Sequence, residues 1–395
     1  MASDKKIFIV GFPYVRESYF ATFSCYPNGD QLTFLLPNIW KIKKGEVVFH
    51  SPKDPRIHTA RAFFSHSHYP IIGGLLKGLM PAFPLVLWRV RHRADLIYAC
   101  SEPNLLTTMY YALWAKMFRK KLVLFSWENI PYEKKFFGLN LLVKRIIIWI
   151  NLALSDGIIC GSTKGRDIFQ KLTQNPIAVI PMSGVNTELF QRRGTGKKFN
   201  EYDWREKIVF TFAGAIGYRK GIHNIIKAFD YIASELSLVH LVIVGSGEYG
   251  REIDTMVRTV RAADKITRIP WLDYSKLPAL LEASDVFLYP SISHGGWEEQ
   301  FGYSMAEASL MELPVVSTRS GSIEDVVVDG KTGILVEPDN VIQLANAMVR
   351  LAMDSALRMR LGHEGRKYIT RHFSHAVVAQ QFFEFFNRVN GIRPH

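Results

Sequence analysis

Cysteine is scarce in this chain, and each one stands alone. Cys25, Cys100 and Cys160 are odd in number and far apart. They make neither a disulfide framework nor a metal-ligand spacing. A reducing, cytoplasmic compartment is the expectation that follows. Long apolar runs are missing too. The best stretch, Phe136 to Leu154, is interrupted by Lys144 and Arg145, and a bilayer span needs about 20 apolar residues. Internal repeats and low-complexity tracts are absent. The polar start, Met1 to Lys6, runs straight into Ile7-Phe8-Ile9-Val10. That reads as a first strand, because a signal peptide would carry a longer apolar region.

Acidic residues are scarce in the first half. Residues 1–190 hold 24 Lys+Arg against 12 Asp+Glu, whereas residues 191–395 hold 25 against 24. Nearly all of the net charge of +13 therefore sits in the first half. Such a surface draws phosphates, lipid headgroups or nucleic acid. No nucleic-acid-binding motif stands beside the excess, so nucleic acid is not an expected partner. Two segments, Gly73 to Arg93 and Phe136 to Leu154, mix apolar and basic residues. Segments of that kind can lie in a membrane interface. Peripheral attachment to an anionic membrane surface, on the cytoplasmic face, is the expectation.

The chain's 395 residues exceed what one core usually organises. Short β-rich runs alternate with longer helical patterns. The runs Ile7–Val10, Leu96–Ala99, Leu122–Phe125, Gly157–Cys160 and Ala178–Ile180 come first. After a break follow Ile208–Phe212, His240–Val244, Val286–Leu288, Pro314–Ser317 and Gly333–Val336. This alternation implies an α/β chain of two doubly wound, Rossmann-like parallel sheets. The expected division is a first domain over 1–190, a polar linker over 191–207 and a second domain over 208–374. A last helix in 375–395 could pack back on the first domain. In such sheets ligands bind beyond the carboxyl ends of the strands, so two facing domains would offer a cleft for donor and acceptor.

Three stretches carry chemistry. In Glu299-Gln300-Phe301-Gly302-Tyr303-Ser304-Met305-Ala306-Glu307, two carboxylates bracket a Phe-Gly pair. The stretch follows a strand and a glycine-containing loop and then opens a helix. That order puts Glu299 beside the amides of Tyr303 and Ser304, which a helix N-terminus leaves free for phosphate oxygens. Glu307 falls about one turn beyond Tyr303, on the same face. The duller reading is a capping acid and an unrelated surface Glu. In Phe212-Ala213-Gly214-Ala215-Ile216-Gly217-Tyr218-Arg219-Lys220-Gly221, Gly214 and Gly217 allow a close ligand approach. Arg219 and Lys220 could neutralise a diphosphate, unless they are merely solvated bases. Gly245-Ser246-Gly247-Glu248-Tyr249-Gly250 matches G-x-G-x-x-G. It follows the second strand of its domain and lacks the later acid, so a dinucleotide site is not expected. His66 and His68 invite a metal reading, but no third ligand has suitable spacing.

Together these stretches resemble the retaining glycosyltransferase family 4, whose fold is GT-B. Ile180-Pro181-Met182-Ser183-Gly184-Val185-Asn186 and Asp329-Gly330-Lys331-Thr332-Gly333 add to the likeness, which is specific over about 155–340. The resemblance implies a metal-independent enzyme without cofactor, moving a sugar from a nucleotide-sugar donor to a glycan or lipid-linked acceptor. It implies catalytic roles for Glu299 and Lys220. Gly214, Arg219, Lys220, Phe301, Gly302, Tyr303, Ser304 and Glu307 would bind the donor, with Glu299 on sugar hydroxyls and Glu307 on the ribose. Glu128, in Ser126-Trp127-Glu128-Asn129, lies where the family often has a cleft histidine and is a candidate catalytic residue of the cleft, with a structural role as the alternative. Ala215 stands where the family commonly has Arg, a charge that Arg219 could supply. The alternatives are a sugar-nucleotide epimerase or phosphorylase on the same fold, or a non-catalytic nucleotide-binding protein.

Overall fold

The strands of the two large sheets recur through almost the whole chain and pair in parallel. The computed structural model describes residues 5–42, 45–48, 54–65, 72–194 and 196–391. Contacts divide the chain into two units, Met1–Gly184 with His375–His395, and Val185–Ser374.

The first unit is built on seven parallel strands: β1 (Ile7–Val10), β2 (Leu32–Pro37), β3 (Ile57–Ala60), β4 (Leu96–Ala99), β5 (Lys121–Ser126), β6 (Gly157–Cys160) and β7 (Ile177–Val179). Their order is β3-β2-β1-β4-β5-β6-β7. The direction of winding reverses between β1 and β4, which places a crevice beyond their carboxyl ends. The central strands are buried on both faces, which is why they read as continuous apolar runs. Ile7 and Ile9 point to one side, where the C-terminal helix His375–Val389 adds Val378, Phe382 and Phe386. That helix is fastened by ring contacts of Phe382 with Phe23 at 5.4 Å and of Phe386 with Tyr98 at 5.3 Å. A hydrogen bond of 2.8 Å joins His375 Nδ1 and Thr22 Oγ1. Phe8 and Val10 point to the other side. There they meet the inner faces of Phe83–Val90, Leu106–Met117 and α1 (Gly138–Leu154). Among the described residues no helix is long and apolar enough to cross a membrane.

The second unit holds six parallel strands: β8 (Ile208–Ala213), β9 (Val239–Val244), β10 (Ile266–Ile269), β11 (Val286–Tyr289), β12 (Val315–Thr318) and β13 (Gly333–Val336). The order is β10-β9-β8-β11-β12-β13, so its winding reverses between β8 and β11. The polar stretch expected as a linker belongs to this unit. It carries a hairpin of Lys198–Phe199 with Tyr202–Asp203. Glu282 Oε1 accepts from the amides of Arg193 and Gly194, and Lys197 reaches Asp285 at 2.7 Å. These bonds explain the difference from the expected boundary: the units part at Gly184/Val185, before the polar run. Two helices matter for the site, α2 (Ile222–Ile232) after β8 and α3 (Tyr303–Leu310) after β11.

Candidate active site

The loops after β8 and β11 meet at the second unit's reversal point. Contact there is backbone to backbone. Gly221 has φ +66°, and a Cβ on it would lie 2.0 Å from the Pro290 carbonyl oxygen. Any larger residue would drive the loops apart. The Arg219 carbonyl accepts from the Ile292 amide at 2.8 Å and from Ser291 Oγ at 2.9 Å. The short turn Tyr218–Lys220 is thereby held against the end of β11.

This clamp brings Lys220 onto Glu299. Lys220 Nζ donates to Glu299 Oε2 and to the Tyr289 hydroxyl. The Tyr289 hydroxyl in turn donates to Glu299 Oε2 at 2.9 Å. All three side chains are buried. Burial pushes the Lys220 ammonium below its usual range, while the Glu299 carboxylate pulls it back up and Arg219 pushes it down. An ammonium has three N–H donors, and two are engaged here. Beside this pair the Arg219 guanidinium lies over the Trp297 ring, 3.4 Å from its centre. Its Nη1 is buried with no hydrogen-bond partner among the described residues. Buried donors are nearly always paired, so this one points to an acceptor that a ligand would bring.

A cavity of about 360 Å³ opens next to the same loops, lined by Gly214, Ala215, Ser246, Trp271, Ser304 and Glu307 among others. Glu307 projects from α3 and accepts a hydrogen bond of 2.7 Å from the Tyr274 hydroxyl. Burial pushes the Glu307 carboxyl up to about 7, and the Tyr274 bond only partly opposes this. Gly302 caps α3, so the amides of Tyr303 and Ser304 lie in its first turn. Gly245 and Gly247 serve this cavity by packing. A Cβ on them would lie 1.8 Å from the Gly214 oxygen and 2.0 Å from the Ile216 oxygen. The G-x-G pattern is thus a join between the loops after β8 and β9.

The second unit therefore brings Gly214, Arg219, Lys220, Glu299, Gly302, Tyr303, Ser304 and Glu307 to one end of one sheet. Two of the expected residues have other partners. Phe301 is buried against Tyr303 at 4.6 Å and Phe373 at 5.1 Å, so it holds α3 and does not line the cavity. Glu128 lies in the first unit with its carboxylate on Lys135 Nζ at 2.8 and 2.9 Å. That pairing occupies the charge it was expected to offer a ligand. His66 and His68 lie outside the described residues. Among those described, no three acidic, imidazole or thiol groups gather as a metal site. Sequence reasoning missed Tyr289, Tyr274 and Trp297. Tyr289 ends a buried strand facing the motif, a position that could have signalled it.

Glu307 gives a pH prediction. Its folded-state value, about 7, lies above the ordinary 4.5. The folded protein therefore binds the extra proton, and the stability Glu307 contributes is lost as pH rises from 4.5 through 7. At 1.36 kcal/mol per pKa unit the loss is about 3 kcal/mol. Glu307→Gln should remove it. Melting curves of both proteins from acid to mild alkali should show the variant gaining on the parent as pH rises; parallel curves would refute the assignment.

Comparison with known proteins bears on this geometry. Residues 195–368 match the family described as glycosyl transferases group 1. The chain is 28% identical over 236 residues to the capsular polysaccharide biosynthesis glycosyltransferase CapM of Staphylococcus aureus, spanning 58% of this chain and 60% of that protein. It is 22% identical over 366 residues to the uncharacterised glycosyltransferase MJ1069 of Methanocaldococcus jannaschii, 89% of this chain and 88% of that one. In structure it is similar to Anabaena Alr3699/HepE in complex with UDP. There the TM-score is 0.74 at 18% identity, over 97% of this chain and 100% of that one.

Proposed function

We propose that the chain, whose fold is GT-B and whose residues 195–368 match the glycosyl transferases group 1 family, is a glycosyltransferase that moves a hexosyl group from a nucleotide sugar to a glycan or lipid-linked acceptor, with retention and without a metal. The observation that carries this reading is the buried Arg219 Nη1, without a partner among the described residues and fixed on Trp297 beside Lys220. A diphosphate supplies the acceptor oxygens that this donor lacks. The same charges do the work that a divalent cation does elsewhere.

In this reading the nucleoside fills the cavity above β8 and β9, with its ribose hydroxyls on Glu307. The diphosphate takes the amides of Tyr303 and Ser304, the Arg219 guanidinium and the third N–H of Lys220. Glu299 accepts from the sugar's hydroxyls. As the bond from C1 to the phosphate oxygen breaks, the nucleoside diphosphate leaves with the electron pair, and Lys220 and Arg219 stabilise its growing charge. The acceptor hydroxyl forms the new bond to C1 from the same face, and its proton passes to the departing phosphate. Arg219 takes over the charge that Ala215 lacks.

The acceptor's setting is read from the first unit. Three of its helices pack their inner faces on one side of the sheet. Their outer faces leave Trp88, Met117, Leu139, Leu142, Ile146 and Trp149 exposed, among Arg89, Lys116, Arg119 and Arg145. An anionic membrane surface suits such a face.

Thermal melting against a panel of nucleoside diphosphates and nucleotide sugars, with and without EDTA, tests the donor site. One base series, UDP among the candidates, should raise Tm and do so equally with EDTA, since ligands of the folded state alone stabilise it. Product anomers read by NMR then test retention. Nucleotide binding with no turnover of any donor would favour a non-catalytic protein, and loss of the shift with EDTA would overturn metal independence.

A further inference from the structure

The first unit has its own cavity at its own reversal point, and the donor site does not use it. It measures about 220 Å³ and is walled by Phe12, Arg16, Trp40, Lys77, Glu102 and Trp127 among others. Phe12 follows β1 and Glu102 follows β4, the two strands between which the winding reverses. A ligand is expected there on topology alone.

The walls are built for a particular chemistry. The rings of Phe12 and Trp40 stack face to face, their centres 4.1 Å apart and their planes within 3° of parallel, as one thick aromatic wall. Lys77 Nζ stands 5.1 Å from the centre of the Phe12 ring. Backbone has been cleared to make room. Against both rings of the stack is Gly78, with φ +74°, where a Cβ would lie 3.2 Å from Phe12 and 3.5 Å from Trp40. Under Trp127 is Gly161, where a Cβ would come within 2.2 Å of the indole. Trp127 is further set by an edge contact with Phe125 at 5.3 Å.

Glu102 supplies the polar centre. Its Oε2 accepts from Ser126 Oγ at 2.7 Å and its Oε1 from the Trp127 amide at 2.8 Å. Each oxygen keeps a lone pair for another donor. Glu128 is taken by Lys135, so Glu102 is the carboxylate this cavity presents. Lys77 makes no ion pair among the described residues, and burial holds its ammonium below the usual range although Glu102 opposes this. Arg16 adds an exposed cation at the rim.

We propose that this cavity is a subsite for one anionic pyranose unit of the acceptor, a sugar carrying a phosphate or a carboxylate. An outer ring face of this stacked pair packs on the sugar ring's C–H face. Glu102 accepts from a ring hydroxyl, and Lys77 with Arg16 takes the anionic substituent. The volume favours a single ring, since sites for drug-sized ligands run from about 300 Å³ upward. This inference rests on the reading of the chain as a glycosyltransferase and names its acceptor's chemistry.

Saturation-transfer NMR on the full chain tests it, with the donor site filled by whichever nucleotide raises Tm. The probes are the 6-phosphates of glucose, mannose and galactose, the matching uronates and the neutral hexoses. At least one anionic sugar should bind. Glu102→Gln and Lys77→Met should each weaken it tenfold or more while leaving the nucleotide's Tm shift intact, which also shows that the variants fold. Tighter binding of a phosphate or of a uronate identifies the source of the charge. The inference is overturned if no anionic sugar binds, if neutral hexoses bind as well, or if binding survives both substitutions. A nucleotide shift without sugar binding would sink this inference alone; absence of both would sink the donor reading with it.

Discussion

Replacing Glu299 by alanine is expected to cut transfer by about 10²–10³-fold or more and to destabilise the second unit at the same time. The two losses have one cause. Lys220 is buried, and Glu299 is its only anionic partner among the described ion pairs. Taking away one member of a buried pair leaves an uncompensated charge, at a cost of about 3–5 kcal/mol. Without Glu299, burial and Arg219 both push Lys220 toward its neutral form, so the diphosphate loses a cation as well. The double variant Glu299→Gln with Lys220→Met separates the effects. It removes both charges and keeps similar volumes, so much of the stability should return while activity does not. Melting curves and rates of donor consumption on the three proteins decide it. An inactive but stable double variant places the pair in the chemistry. Recovery of activity together with stability would make Glu299 a structural residue.

Much of this was legible in the sequence, and the gaps have physical causes. β1, β4, β6 and β13 were read with their observed bounds because buried parallel strands are apolar throughout. β3 (Ile-His-Thr-Ala) and β10 (Ile-Thr-Arg-Ile) are edge strands with mixed side chains, and neither was marked. The placing of Glu299 and Glu307 at the end of the second sheet was legible because strand, loop, acid and helix follow one another locally. Their partners were not, since Tyr289 meets Lys220 across 69 residues and Tyr274 meets Glu307 across 33. Glu128 meets Lys135 only seven residues on, a pairing that no motif marks. Glu102 closes the point. An acid just past a strand end carries no motif, and only the cavity around it singles it out.

The second large effect concerns the membrane. Leu139, Leu142, Ile146 and Trp149 are 75%, 55%, 50% and 69% exposed along α1. Their spacing of three, four and three puts them on one stripe. The buried face of the same helix is already filled by Ile147, Ile148 and Leu152, so the exposed stripe adds nothing to the core. Substituting Leu142, Ile146 and Trp149 together by glutamine should therefore leave Tm almost unchanged. Transfer of such side chains out of water yields about 1.5–3 kcal/mol each when complete. With each half-buried already, three of them give roughly 3–4 kcal/mol, or 10²-fold or more in partitioning onto vesicles. Binding should also need anionic lipid, because basic residues near the surface add about 1 kcal/mol each. Sedimentation with neutral and with anionic vesicles, at low and high salt, reads both contributions. Salt should remove the anionic preference and leave a weaker apolar part, and the triple variant should lose that remainder. Vesicle binding that ignores the three substitutions would move the membrane surface away from α1. No binding by the parent protein would leave an acceptor free in solution, and the stripe would then need another partner.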